Sequence, residues 1–494
     1  MSDYDLTEVG YALDGLSGRS AAYATANQYY RGKQKLRFAT DAFREAFGAT
    51  FREFVYNRCG VVIDSVDDRL AISGWESTGQ DETGGTENDP VELRAAELWA
   101  KSQMTRRQGE VHREALRAGD AYVLVWPDEE DQTPRFYPHK ANMMTVLYDQ
   151  EHSDQLCLAV KTWRIERGPN KGKWRVTVYW PDVVQRFISL SRSEEMPKGN
   201  KVRQLIPYED DGMPAEATHT YGRVPVVHFA NKADTGEMGH SELSDIIGLQ
   251  DSANKIMRDL LLNSEYNSWR QRWIAGVQSV LDPDTGREVP IGEIGMGRTL
   301  IFGDKETKVG AFDVSTVNEF TTGVNAFDTW IANSTQTPLH WISQQGTPLS
   351  GEALKTQESP FVAKVKNRQI SWGDDWGETM ALALIEDGVT PDQANMIVPI
   401  WASAESRGDQ DFWSVAQMKI AGSVPEEQIW QEFGYTPDEI AGFTLQNEAQ
   451  VTSLADMTAR ATNAGRIGSS ATAGMMPMNG GQMNATISGS MGSR

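Results

Sequence analysis

The sequence predicts an α+β fold built around a pair of long helices. Three observations carry this reading. Residues 119–230 alternate β-branched and aromatic runs with acidic turns. Two long amphipathic helical stretches, 241–268 and 317–337, flank a short segment rich in Gly and in β-branched residues. A polar loop, Ser343-Gln-Gln-Gly-Thr-Pro-Leu-Ser350, then leads into a third long helix that reaches Asp387. Two helices joined by a small β unit make a column and a foot. A loop at the other end of the column can project into a central hole when copies stand in a ring.

Taken in order, residues 1–40 carry helical signals without a strong core stripe: Tyr11, Leu13 and Leu16, then Tyr29-Tyr-Arg-Gly32. A helix over 41–56 places Phe43, Phe47, Phe51, Phe54 and Val55 on one face. Asn57-Arg-Cys-Gly-Val-Val-Ile-Asp-Ser-Val66 and Arg69-Leu-Ala-Ile-Ser-Gly-Trp75 are β-branched and read as strands. Residues 78–89 read as a loop. The stretch 90–118 returns to helix, with Leu93, Ala96, Leu98 and Trp99 toward a core. Strands are predicted at 121–126, 156–163, 174–180 and 224–229.

In the first column helix Leu243, Ile246, Leu249, Ala253, Ile256, Met257 and Leu260 recur at intervals of three and four. Ser241 caps its start, and Glu242 and Asp245 suit the positive helix end. About 28 residues at 1.5 Å each gives roughly 42 Å. The second begins with a capping box, Thr316-Val-Asn-Glu319, and ends at Pro338. The third starts near Gly351 and should bend at Pro360. It runs on through Val365, Trp372, Trp376 and Met380. Ile397-Val-Pro-Ile-Trp401 reads as a strand returning to the body's sheet. Short helices follow at 412–420 and from Pro425 to Gly434, and Thr436-Pro-Asp-Glu439 is a further capping box. Beyond Ala464 the sequence is Gly, Ser, Met and Asn rich without periodicity and predicts a flexible tail.

At 494 residues and 39% hydrophobic, the chain can bury a sizeable core over roughly three domains. No apolar run approaches the roughly 18 residues that span a bilayer, and the acidic N-terminus has no secretion signal. Two cysteines, Cys59 and Cys157, fit a reduced compartment. Net charge is −22, with 69 acids against 47 bases. That excludes tight wrapping of nucleic acid, which requires Lys and Arg on phosphates. It suits solubility, or a surface past which DNA must slide without sticking.

No motif for chemistry survives inspection. Gly168-Pro-Asn-Lys-Gly-Lys173 is one residue short of a phosphate loop, and Trp174 stands where Ser or Thr is needed; a turn is the better reading. Gly292-Glu-Ile-Gly-Met-Gly297 lacks dinucleotide spacing. Asp282, Asp284 and Glu288 fit a hairpin turn better than calcium. His112-Arg-Glu114 is half of a zinc-deaminase signature, and no cysteine pair follows. Acid pairs at Asp67-Asp68, Asp128–Asp131, Asp210-Asp211 and Asp374-Asp375 read mostly as solvated turns. Trp372 and Trp376 share one helix face and read as core. The bases flanking the column, Arg270, Arg272, Lys355, Lys364, Lys366 and Arg368, have two readings. One is surface snorkelling. The other is weak contact with phosphate or with acidic faces of neighbouring subunits.

The order of these elements resembles a phage portal protein of the SPP1-like family of long-tailed phages. Tyr29-Tyr-Arg-Gly-Lys-Gln-Lys-Leu36 resembles that family's N-terminal entry, and 57–64 with 69–75 its wing strands. Gly239-His-Ser-Glu-Leu-Ser-Asp-Ile-Ile-Gly-Leu-Gln-Asp251 resembles the opening of the stem helix. Thr337-Pro-Leu-His-Trp-Ile-Ser343 and Leu349-Ser-Gly-Glu-Ala-Leu-Lys355 resemble the passage from stem to tunnel loop, and Lys419-Ile-Ala-Gly-Ser-Val-Pro-Glu426 the crown. The resemblance covers roughly residues 25–450; order and spacing carry it, not one motif.

The resemblance implies an α/β wing, a two-helix stem, a small β-containing clip, a long kinked helix and an α-helical crown, closed into a ring oligomer, usually of twelve. Residues 1–24 would be an N-terminal extension, 25–240 the wing, 241–269 the first stem helix, and 270–316 the clip. Residues 317–342 would be the second stem helix, 343–351 the tunnel loop, 352–400 the long wing helix and return strand, 401–463 the crown, and 464–494 the tail. The tunnel loop would set Gln344, Gln345, Gly346, Thr347, Pro348, Leu349 and Ser350 against DNA. Implied partners are other copies of the chain, the terminase large subunit, a head–tail connector or adaptor, the major capsid and scaffolding proteins, and double-stranded DNA passing through. No membrane, cofactor, metal or catalysis is implied. The expected location is the capsid vertex of the virion, after synthesis in the host cytoplasm. Two other classes are weighed beside it: a DNA-processing packaging enzyme, and another ring-forming connector.

Overall fold

The computed structural model describes residues 6–35, 55–78, 89–209, 212–268, 272–275, 280–282, 284–289, 308–311, 317–343, 350–405, 409–422, 424–432, 435 and 440–445. Of the helix expected over 41–56 only residues 55 and 56 are described, and they are not helical; residues 79–88 of the expected loop, the capping box at 436–439 and the tail lie outside the described residues. The fold is a mixture of helices and sheets, as the sequence predicts. Packing divides the chain into a unit over Met1–Phe412 and a second over Trp413–Arg494.

The first unit is layered. Helix α1 (Leu6–Tyr30) buries Val9, Leu13, Leu16, Tyr23 and Tyr29. It therefore does carry a core stripe, contrary to the expectation. Those residues keep helical spacing, but Gly, Ala and Ser between them dilute the pattern. Val9, Ala12 and Leu13 pack on one face of an antiparallel sheet. That sheet runs β4 (Met144–Tyr148), β5 (Leu156–Arg164), β6 (Trp174–Tyr179), β7 (Val183–Ser189), β8 (Leu205–Pro207), with β9 (Glu216–Thr218) also on β7. Strands β5 and β6 point Leu158, Val160, Val176 and Val178 at α1. Two-residue periodicity sends Ala159, Lys161, Trp163, Arg175, Thr177 and Tyr179 to the opposite face. Between β5 and β6 the chain turns at Gly168 and Gly172, with φ of 85° and 86°. The turn reading of that segment holds.

The opposite face looks onto a three-stranded sheet, ordered β10 (Val226–Ala230), β2 (Asp120–Pro127), β3 (Pro134–Lys140). Strand β2 is buried on both sides. Tyr122 and Leu124 meet Ala159, Tyr179 and Val184 across the intersheet space. Ala121, Val123 and Val125 join the largest core with Phe136 and Phe229.

That core is closed by helices. Residues 57–66, expected as strand, form α2 (Cys59–Asp67). Cys59, Val62, Ile63 and Val66 fall on one buried helical face, and the Asn57 side chain accepts from the Cys59 amide at 3.0 Å. Burial of a helical stripe outweighs the β preference of Val and Ile. Strand β1 (Ile72–Ser77) pairs antiparallel with β15 (Ile397–Trp401) in a sheet of two. The predicted return strand thus meets β1, not the larger sheets. The helix expected over 90–118 is two helices, α3 (Pro90–Lys101) and α4 (Met104–Ala118), broken at Gln103 with φ 56°. Leu98 and Trp99 are buried, whereas Leu93 and Ala96 are exposed. Asp89 caps α3 by accepting from the Val91 amide.

Helix α5 (Ile247–Ser268) starts after a series of turns that opens at Ser241, whose hydroxyl accepts from the Leu243 amide at 3.1 Å. Its antiparallel neighbour is α6 (Val317–Thr335), which continues through α7 (Leu339–Ile342). A Cβ on Gly323 would stand 3.0 Å from Ile256, so glycine lets the two helices approach closely. Between them lie β11 (Arg272–Ala275) paired with β14 (Lys308–Ala311), and a hairpin of β12 (Val280–Leu281) and β13 (Glu288–Val289). Asp282 accepts from the Asp284 amide at 2.9 Å, closing the hairpin turn predicted there.

Helix α8 (Gly351–Glu386) is one element of 36 residues with Pro360 inside it. Ser350 caps it through the Ala353 amide. It buries Phe361, Val365, Trp372, Trp376 and Met380. Asp374 and Asp375 lie within this helix, not in a solvated turn. His112, fully buried on α4, stacks on Trp372. Its Nε2 accepts from Trp376 Nε1 at 2.9 Å, and its Nδ1 lies 3.1 Å from the Leu70 carbonyl. Trp372 and Trp376 are core, as weighed from sequence, and His112 joins them there. After α9 (Pro391–Ala394) and β15, the second unit centres on Trp430 of α11 (Glu426–Glu432). Trp430 meets Trp413 on α10 (Asp409–Ala421), Tyr435 and Phe443 edge-on or tilted.

Burial, opposed by the Leu70 carbonyl and aided by Arg113, lowers the His112 imidazole to about 3. A depressed histidine contributes stability above its ordinary value of 6.5, lost as pH falls toward about 3. Trp376→Phe strands the His112 acceptor and should cost about 2 kcal/mol in urea unfolding at pH 7; an unchanged midpoint would remove the hydrogen bond from the account.

Candidate functional site

The first stretch singled out as a helix opening, Gly239-His-Ser-Glu242, is the junction of the molecule. Gly119 and Gly239 cross backbone to backbone. A Cβ on Gly239 would stand 1.9 Å from the Gly119 carbonyl oxygen, and Gly119 has φ 103°. Only glycine fits that crossing. Asp120, next in line, is fully buried and accepts from the Gly239 amide at 2.7 Å. Its carboxylate also meets His228 Nε2 at 2.8 Å and the Tyr23 hydroxyl. Burial would raise the Asp120 carboxyl, but these partners hold it below the ordinary range. Tyr148 OH closes the chain on His228 Nδ1 at 2.8 Å.

Glu242 sits beside this crossing with its side chain 1% exposed. Oε2 meets Lys364 Nζ at 2.9 Å and Lys232 Nζ at 3.1 Å. Oε1 meets Arg368 Nη2 at 2.9 Å. The Glu242 amide donates to the Leu116 carbonyl, at the end of α4. Burial alone would raise this carboxyl; Lys364, Lys232 and Arg368 outweigh it and bring it down to about 2. Lys364 also donates to the Thr335 carbonyl at 3.0 Å, which ends α6. Arg368 Nε donates to Asn231 Oδ1 at 2.7 Å, just beyond β10. One carboxylate therefore fastens the entry to α5, the end of α6, the β body and α8.

A second set of contacts holds the same helices lower on α5. Gln250 accepts from the Arg58 amide at 2.8 Å, and Asn254 from the Tyr56 amide at 2.8 Å. Asp328 of α6 is 1% exposed and pairs with Arg58 at 3.1 Å. Tyr29 OH donates to Asp251 at 2.8 Å.

Burial fades along both helices away from this junction. Past Arg258 no described residue of α5 is buried, and on α6 none is buried from Val317 to Gly323. Val317 and Trp330 are each 51% exposed, and Ile370 on α8 is 69% exposed.

The bases named from sequence separate accordingly. Lys364 and Arg368 belong to the Glu242 junction, where both meet one carboxylate inside the chain. Lys366 is at the surface, 2.9 Å from Glu405. Lys355 is exposed in the first turns of α8. Arg272 lies on β11 opposite Ala311. Arg270 and the loop residues Gln344, Gln345, Gly346, Thr347, Pro348 and Leu349 lie outside the described residues, and Ser350 is the α8 cap. Among the acid pairs, Asp67 is buried against Arg113 at 2.6 Å, and burial lifts it to about 6 despite that partner. Sequence reasoning missed Glu242 as the junction. Its signal was a polar Ser-Glu pair directly before an apolar stripe, and only the fold supplies the three cations.

A family model described as "Phage portal protein, SPP1 Gp6-like" matches residues 77–452. The portal protein of Mycobacterium phage D29 is 26% identical over 229 residues, and that of Mycobacterium phage L5 25% over 232. These alignments cover 44% and 45% of this chain and 47% of each relative. The matched part thus spans about half the length of those relatives. A chain of the virion of a native gene transfer agent particle aligns at 11% identity with a TM-score of 0.43, covering 85% of this chain and 99% of that one.

Breaking a buried ion cluster on one side leaves uncompensated charge, so Glu242→Gln should lose about 3 kcal/mol in urea unfolding at pH 7. The folded carboxyl lies below its ordinary 4.5, so its contribution is present above that pH. The gap between wild type and variant should therefore shrink as pH falls from 4.5 toward about 2. A gap that stays constant over that range would show that Glu242 acts by shape and not by charge.

Proposed function

The chain belongs to the SPP1 Gp6-like family of phage portal proteins, and from that premise we propose that it forms the ring channel at one capsid vertex through which double-stranded DNA is packaged and ejected. In this reading it is a structural part, not an enzyme. Helices α5 and α6 form the stem around the bore, with the strands β11–β14 as a clip outside the capsid. The clip docks the terminase motor during packaging and the head–tail connector afterwards. The loop 343–351 reaches toward DNA, residues 25–240 with α8 and β15 form the wing, and 401–463 the crown. Capsid and scaffolding proteins surround the wing. The ring is taken as a dodecamer.

The observation that carries this reading is the fading burial of the helix pair. A hairpin anchored firmly at one end, with Val317 and Trp330 exposed, gains stability when its other faces meet further copies. Net charge supports it from the other side. At −22 per chain, a bore lined by such subunits repels phosphate and lets the duplex slide. Gln344, Gln345 and Thr347 offer exchangeable hydrogen bonds in place of fixed charge.

Trp330→Glu should cut assembly about tenfold or more in sedimentation velocity while leaving the monomer folded; rings at wild-type yield would sink the stem assignment. In a packaging assay, Gln344→Lys with Gln345→Lys should slow DNA entry most at low salt, because added cations hold phosphate. Unaltered packaging at low salt would show that the loop does not reach DNA.

A further inference from the structure

A groove of about 780 Å³ opens between the two sheets, where the apolar contacts of Tyr122, Leu124 and Ala159 give out. Its floor is the face of β5–β7 turned away from α1. Its roof is the face of β2 and β3 that carries Trp126 and Tyr137. Trp163 and Tyr179 add two more aromatic surfaces.

Its charge runs against that of the chain. Lys161, Arg175 and Arg186 line it, and among the described residues the lining holds one carboxylate, Glu129, which is exposed. Lys161 faces Thr177, and Thr177 faces Arg186, in one row across three strands. Among the described residues neither Lys161 nor Arg186 has a carboxylate within ion-pair distance. Arg186 donates to the Pro214 carbonyl at 2.8 Å, and the Lys161 ammonium lies 5.2 Å from the Trp163 ring. His139 lines the same space with its Nε2 buried and without a hydrogen-bond partner among the described residues. Burial, and then Arg175, push the Lys161 ammonium below its ordinary range, so the cations cost stability where they stand.

We propose that this groove docks a short acidic peptide segment of a partner protein, two carboxylates on Lys161 and Arg186 with an apolar or aromatic side chain between them against Trp163 and Tyr179. The spacing sets the motif. Residues two strands apart are separated by about 9.5 Å. In a peptide held as polyproline II, with three residues per turn and a rise of about 3.1 Å, side chains at i and i+3 share a face and lie about 9.3 Å apart. The recognised pattern is therefore Asp/Glu, two intervening residues, Asp/Glu. Nucleic acid fits less well: its affinity comes from many phosphate contacts, and here a few cations sit beside the acidic turn Asp128–Asp131. This inference stands independently of the ring.

The test uses the full chain and a fluorescein-labelled peptide Gly-Asp-Phe-Leu-Glu-Gly in fluorescence anisotropy. Its Asn/Gln counterpart, inorganic phosphate and a twelve-nucleotide oligothymidylate serve as the other arms. Wild type should bind the acidic peptide saturably, and Lys161→Met with Arg186→Met should weaken it about tenfold or more. The same variant should melt at a higher temperature, since it removes two half-buried cations with no carboxylate opposite them. Trp163→Ala should weaken binding with both cations in place, and Lys161→Arg should keep it. Equal binding of the Asn/Gln peptide, absence of saturation, or unchanged affinity in the double variant would overturn the proposal. Tighter binding of the oligothymidylate, lost in the same variant, would replace the peptide with single-stranded nucleic acid. Displacement by millimolar phosphate with no preference for the peptide would reduce the groove to a simple anion site.

Discussion

A carboxylate removed from water must be met by cations at short range or it neutralises, and Glu242 is met by three. Each cation comes from an element with its own reason to be there. Lys232 follows β10, Lys364 and Arg368 sit one turn apart on α8, and Lys364 also reaches the Thr335 carbonyl at the end of α6. The charge can be placed there only because Gly119 and Gly239 let two backbones cross without a Cβ between them. Such a cluster is weak evidence of extra stability, since an apolar set of the same volume often does as well. What it fixes is position. Shifting α5, α6 or the body separately would strand a buried charge. The helices of the proposed stem thus leave the body at a set angle, which a ring of identical copies requires.

Much of this architecture is legible in the sequence because it follows from local periodicity. The helix pair, the β segment between them, the start of α8 near Gly351 and the buried face of Trp372 and Trp376 all announce themselves within a few residues. The failures share a cause. Residues 57–66 carry Val-Val-Ile and read as strand, yet Cys59, Val62, Ile63 and Val66 keep helical spacing and pack as α2. Helix α1 hides its stripe among small residues. Glu242 reads as an acid near a helix start, while Arg368, its partner, is 126 residues away. Lys364 and Arg368 read as surface bases for the same reason. Long-range charge pairing leaves no periodic trace; only the fold brings the partners together.

Net charge and local charge point in different directions in this chain, and both have work to do. Acids dominate at −22 overall, the sign expected of a wall past which phosphate moves. The intersheet groove collects cations and aromatic rings on one sheet face instead. Strand alternation produces this contrast directly: on β5, Leu158 and Val160 turn to α1, while Lys161 and Trp163 turn to the groove. One strand thus serves core packing on one side and recognition on the other.

What ties these features together is the claim that α5 and α6, fixed at the Glu242 junction, find their missing contacts in further copies of the same chain. Electron cryomicroscopy of the purified full-length protein tests this most directly. The account predicts a closed annulus in which α5 and α6 of every copy surround one central opening, with Val317 and Trp330 covered by neighbouring copies. Single particles without a shared axis, or a ring whose opening is bordered by other elements while this helix pair lies at the outer rim, would contradict it.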